Sequence, residues 1–88
     1  MNNTRRKELE AIKNRIEEAL AELDQCKDEL EGIQNEEQEY LDNMPDNLRD
    51  NATGEKAQAA IDAIESAVSD LDSVDVTSAV DSIVEAMA

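Results

Sequence analysis

The chain has no histidine, phenylalanine or tryptophan, and Tyr40 is its only aromatic residue. Without histidine there is no Ser-His or Cys-His pair for nucleophilic catalysis, which argues against an enzyme. Without large rings the core must be built from Leu, Ile, Val, Ala and Met, which bury less area per residue. Cys26 is the single cysteine. No intrachain disulfide can form, and a lone thiol suits a reducing, cytoplasmic compartment. Apolar runs are short, far below the ~20 residues that span a bilayer. The opening stretch Met1 to Glu8 leads into charged residues rather than a signal-peptide core. Basic residues are scarce as well: 8 Lys and Arg stand against 23 Asp and Glu, a formal net charge of −15. A field of that sign repels nucleic acid and anionic membrane, and attracts basic surfaces over a Debye length of about 8–10 Å.

What the sequence does contain is a sustained periodicity. From Leu9 to Met44 apolar residues fall at alternating steps of three and four: Leu9, Ile12, Ile16, Ala19, Leu23, Cys26, Leu30, Ile33, Tyr40 and Met44. Only Glu37 interrupts the series. An average period of 3.5 is the seam of a helix that packs along its length against another helix. In heptad terms Leu9, Ile16, Leu23, Leu30, Glu37 and Met44 occupy position a, and Ile12, Ala19, Cys26, Ile33 and Tyr40 position d. The expected packing seam is carried by Leu9, Ile12, Ile16, Leu23, Leu30, Ile33 and Tyr40. Leu20 and Leu41 fall at e and widen the apolar face, which favours packing against more than one neighbour, such as a hairpin partner plus a second chain. Complementary g-to-e pairs, Glu8 with Lys13 and Glu22 with Lys27, fit a parallel dimer weakly. Glu37, at position a, is expected to lie where the seam splays toward solvent. Gly32 falls on the outer face.

The spacing predicts a helix over about 5–41, capped by Asn3 or Thr4, a loop over 42–53, a second helix over about 54–72 and a short third over about 77–87. Pro45 ends the first helix. Asn43, Asp46, Asn47, Asp50 and Asn51 make the connector, with Leu48 expected to pin it to the core. Thr53-Gly54-Glu55 reads as a cap and first turn. Ala57, Ile61, Ile64, Val68 and Leu71 form the apolar side of the second helix, and Val80, Ile83, Val84 and Met87 that of the third. Ser73 to Thr77 interrupts the two. The fold class is therefore all-α: one small domain, a helical hairpin with a long first helix and a broken second one, with coiled-coil-like packing. With 88 residues and no staple, stability is marginal unless copies associate, so a homodimer or higher oligomer is expected.

The charge is segregated. Residues 1–27 carry six basic and six acidic groups, whereas residues 28–88 carry Arg49 and Lys56 against seventeen carboxylates. The candidate partner-binding surface is acidic: Glu29, Glu36, Asp42, Asp46, Asp50, Glu55, Asp62 and Glu65, with Asp70 and Asp72 further along. Helix turns of about 5.4 Å let such carboxylates approximate the phosphates of duplex DNA, one about every 3.4 Å per strand. Metal sites fail on spacing. Asp70-Leu71-Asp72-Ser73-Val74-Asp75 begins like a calcium loop but puts Asp75 at the glycine position. Asp46 to Asn51 also lacks that glycine and has Ala57 where the bidentate Glu belongs. No metal or cofactor is expected.

The stretch Glu36-Glu37-Gln38-Glu39-Tyr40-Leu41-Asp42-Asn43-Met44-Pro45-Asp46-Asn47-Leu48-Arg49, followed by an acidic alanine-rich helix, resembles a group of small acidic proteins of bacteriophages, prophages and plasmids. The resemblance covers about residues 36–68. The chain departs from the pattern at Arg49, where members tend to have Gln, and at Ala52-Thr53-Gly54, where they tend to have a serine cap. The resemblance implies a mobile-element accessory protein in a bacterial cytoplasm, and brings no catalytic residues with it. The leading expectation is a protein that binds and inhibits a basic host protein, in its sharpest form counter-defence by charge mimicry of nucleic acid. A structural or assembly coiled-coil adaptor is the alternative. A third is a small-ligand sponge at subunit interfaces, with Arg5, Arg6, Lys7 and Arg15 as anion contacts. The partners expected are a second copy of the chain and a basic host protein, with no direct nucleic-acid or membrane contact.

Overall fold

A computed structural model describes residues 1–88. It is an all-α helical hairpin: α1 (Asn3–Asp42), a single turn α2 (Asp46–Arg49), α3 (Ala52–Asp72) and α4 (Thr77–Met87). Forty residues of α1 make a helix about 60 Å long at 1.5 Å per residue. The two returning helices lie along it, giving a rod of 69 × 15 × 13 Å.

Short polar side chains start the helices, one or two positions before where the sequence places two of them. Asn2, rather than Asn3 or Thr4, caps α1: its Oδ1 accepts the Arg5 backbone N–H at 2.8 Å. Asn51, rather than Thr53, caps α3, accepting from the Thr53 N–H at 2.9 Å. Asp75 accepts the Thr77 N–H at 2.9 Å and starts α4. Ser73 Oγ donates to the Asp70 carbonyl at 2.7 Å and closes α3. The break at 73–76 is thus a side-chain stop followed by a side-chain start, and it lets the return follow α1 to its far end. There Arg6 Nε donates to the Met87 carbonyl at 3.1 Å.

The face that α1 turns to the returning helices keeps the 3.5-residue spacing but is rotated from the expected seam. Leu9, Ile16, Leu23 and Leu30 at position a are half-buried, as are Lys13, Leu20, Lys27 and Gln34 at position e. Of the expected seam residues, Ile12, Ile33 and Tyr40 at position d are exposed. At 100° per residue, e lies about 40° from a on one side and d about 60° on the other. One returning helix covers only part of so wide an apolar arc. It settles over a and e, where Leu20 and Leu41 add to the burial.

This rotation also corrects the charge pairing. Lys13 and Lys27 lay their stems along the hairpin interface and pair within the chain: Lys13 with Glu10 at 3.4 Å and Glu17 at 3.9 Å, Lys27 with Asp24 at 3.1 Å and Asp72 at 2.7 Å. They are committed inside one chain rather than to Glu8 and Glu22 of a parallel copy. Glu37 turns toward the hairpin and is half-buried. The position-a stripe therefore does not splay outward there.

The tightest packing is at the closed end, where Leu41, Met44, Ala57 and Ile61 form one buried cluster. Ala57, only 3% exposed, lets α3 approach α1 closely. Leu48 stays 39% exposed and does not pin the connector. Met44 and Arg49 do that instead: Met44 is buried, and Arg49 Nη2 donates to the carbonyls of Asp42 at 2.8 Å and Met44 at 3.3 Å. The guanidinium thus satisfies the last carbonyl of α1, which helix geometry leaves unpaired, and ties the connector carbonyl of Met44 to it.

Gly32 faces outward, and a Cβ there would stand in open space. Gly32→Ala should therefore raise stability by roughly 0.5–1 kcal/mol through helix propensity and a less free unfolded chain. Thermal unfolding should register this as a midpoint several degrees higher.

Candidate interaction surface

The ion pair between Lys27 and Asp72 marks the waist of the rod, since it places the middle of α1 beside the end of α3. Between those two residues the chain forms the closed end. Residues 28–71 carry thirteen carboxylates against Arg49 and Lys56, a net of −11. The open end, residues 1–26 with 73–88, carries nine against five basic groups, a net of −4. The hairpin thus turns the linear charge asymmetry into a spatial one.

All eight candidate acids lie in the closed half and all are exposed: Glu29, Glu36, Asp42, Asp46, Asp50, Glu55, Asp62 and Glu65. They do not make one flat face. Glu29 and Glu36, seven residues apart, share a stripe of α1, while Asp42 projects about 120° away from it around the helix. Three have partners close in sequence: Gln38 donates to Asp42 at 2.9 Å, Gln58 donates to Asp62 at 3.0 Å, and Arg49 lies 3.8 Å from Asp46. None is neutralised by a partner from another helix, so the closed end is a rod-like array of carboxylates facing water.

Two side chains have shifted proton affinities. The hydrogen bond to Asp72, then that to Asp24, pushes the Lys27 ammonium above its ordinary 10.5. Its contribution to stability is complete below that value and disappears as pH rises past it. Asp75 is held below the ordinary 3.8 by the Thr77 backbone N–H and then the Thr77 side chain. Its contribution is present above 3.8 and fades as pH falls through the lowered value. Asp75→Ala should therefore reduce the helical circular-dichroism signal at neutral pH. The gap from the wild type should close as pH drops below 3.8; a gap independent of pH would remove the carboxylate from this role.

The basic residues of the open end do not converge. Arg5, Arg6 and Lys7 are consecutive and project about 100° apart around the helix. Arg6 is engaged by the Met87 carbonyl and by Asn3 Oδ1 at 3.2 Å. The surface holds no pocket and no group of three or more side chains placed to hold a metal ion. No helix is long and apolar enough to cross a membrane. The side-chain bonds from Asn51 and Asp75 that begin α3 and α4 had a readable signal, an Asn or Asp two residues before a Thr. The role of Arg49 had none, because its acceptors meet it only once the connector is folded. No family model, curated protein or solved structure matches the chain.

Proposed function

We propose that this chain is a mobile-element accessory protein that acts by binding, and that its closed end docks on a basic host protein and blocks it. The observation that supports this reading is the net −11 gathered beyond the Lys27–Asp72 waist on side chains that face solvent. A narrow helical rod of carboxylates can enter a groove lined by Lys and Arg, where it competes with the phosphates the groove normally receives. Such a groove belongs to a nuclease or a DNA-binding protein, which gives the counter-defence version its mechanism. The resemblance over residues 36–68 to small acidic phage and plasmid proteins adds to it, and a bacterial cytoplasm is the matching location.

The test is capture of host proteins on the immobilised chain at rising ionic strength. Screening shortens from about 10 Å at 0.1 M salt to about 3 Å at 1 M, so specific partners should be basic and should elute across that range. A variant carrying Glu29→Gln, Glu36→Gln, Asp62→Asn and Glu65→Gln should keep its helical spectrum and lose the capture. Partners that are acidic, or capture by the neutralised variant at wild-type level, would reject the reading.

The assembly-adaptor alternative draws support from a different observation, the exposed Ile33 and Tyr40. Under it, Ile33→Glu abolishes activity and the four acid-to-amide changes do not.

A further inference from the structure

The hairpin leaves a second apolar stripe uncovered. Ile12, Ala19, Cys26, Ile33 and Tyr40 recur every seven residues along α1, over about 42 Å at 1.5 Å per residue. All but the half-buried Cys26 are exposed, Ile33 to 53% and Tyr40 to 56%. We infer that this stripe is covered by the same stripe of a second copy, laid antiparallel on it with the two-fold axis near Cys26.

Area points to an occupant of this kind. The chain exposes 6370 Å², whereas a compact monomer of 9.7 kDa exposes about 5,100 Å². The excess exceeds the roughly 800 Å² per partner that a standard stable interface covers. Its radius of gyration is 20.7 Å, against about 12 Å for a compact domain of this length. Only six of the 88 residues are buried and no large side chain is fully enclosed. One copy alone therefore has only a thin core, and association adds to the stability that the hairpin packing supplies.

Charge selects the direction. A parallel pair would lay one closed end, net −11, beside the other. The antiparallel pair sets each closed end beside an open end that carries only −4 and holds Arg5, Lys7 and Arg15. Rotation about Cys26 puts Ile12 opposite Tyr40 and small Ala19 opposite Ile33, and brings Arg15 alongside Glu36 of the second copy. It also brings Glu22 near Glu29, a solvent-exposed like-charge pair of small cost. Lys13 and Lys27, the groups that would have favoured the parallel arrangement, are already paired within each chain.

Light scattering coupled to size exclusion should give twice the chain mass at micromolar concentration. Ile33→Glu should raise the dissociation constant about 100-fold or more, because it buries a charge at the stripe. It should leave the helical spectrum intact, since Ile33 does not face α3. Direction is read by disulfide trapping with copper phenanthroline in a Cys26→Ser background, using Ile12→Cys and Tyr40→Cys chains. Only the mixture should crosslink, because a disulfide needs Cα atoms within about 7 Å. A monomeric wild type, a dimer indifferent to Ile33→Glu, or crosslinking of either variant alone would overturn the inference. The inference stands apart from the binding role: a monomer that still captures basic proteins defeats this dimer alone.

Discussion

Ile61→Ala should weaken the hairpin by about 2–4 kcal/mol, the usual loss for truncating a buried branched aliphatic side chain. Chains of this length have in total about 4–13 kcal/mol of stability, so much of the folded population is at stake. Ile61 is 5% exposed and packs with Leu41, Met44 and Ala57. Ala57 has no rotamer with which to fill the space, so the site collapses poorly. Urea unfolding followed by circular dichroism measures the loss, with Val84→Ala as the comparison. Val84 is 50% exposed on α4, and its truncation should change stability by no more than about 0.5 kcal/mol. Equal effects at the two positions would mean that α3 does not pack on the a-and-e face of α1.

Gly54→Ala is expected to lower stability by about 1–3 kcal/mol, although alanine is the better helix former. Gly54 is buried in the first turn of α3, and a Cβ there would collide with the Arg49 carbonyl oxygen and come within 2.7 Å of the Arg49 Cα. The obstruction is backbone, so the turn itself must move. That movement pulls Arg49 away from the carbonyls of Asp42 and Met44, which it caps. The expected fall in thermal midpoint is roughly 5–20 °C, from about 4–8 °C per kcal/mol for a domain of this size. The same exchange at Gly32 should raise the midpoint. Opposite signs for one substitution at two helical glycines separate close approach from propensity. If Gly54→Ala also stabilised, α2 would not sit on α3 as described.

Much of the architecture was legible because it follows from local regularities. The 3.5-residue spacing from Leu9 to Met44, the break at Pro45 and the polar interruption at Ser73 to Thr77 are readable one residue at a time. They place the long helix, the turn and the bent return. The closed-end acids are equally legible, since charge segregation is a matter of counting. The exchange of partners at Lys13 and Lys27 was not. Heptad position puts them at the flank of any seam, and only the location of Asp72 across the waist shows where the Lys27 ammonium goes. The exposure of Leu48 was hidden for the same reason. A lone apolar residue in a polar connector looks like an anchor until Met44 is found in that place with Arg49 tied over it.

The sequence by itself determined that the chain forms two antiparallel helical arms, that the second arm is broken, and that carboxylates outnumber cations beyond residue 27. These follow from propensity, periodicity and composition, which are properties of neighbours along the chain. Tertiary structure alone decided which part of a wide apolar arc is covered. Periodicity gives the spacing of an apolar stripe without the direction from which a neighbour approaches, and one returning helix is too narrow to cover positions d, a and e together. The uncovered stripe at Ile12, Ile33 and Tyr40 is what remains.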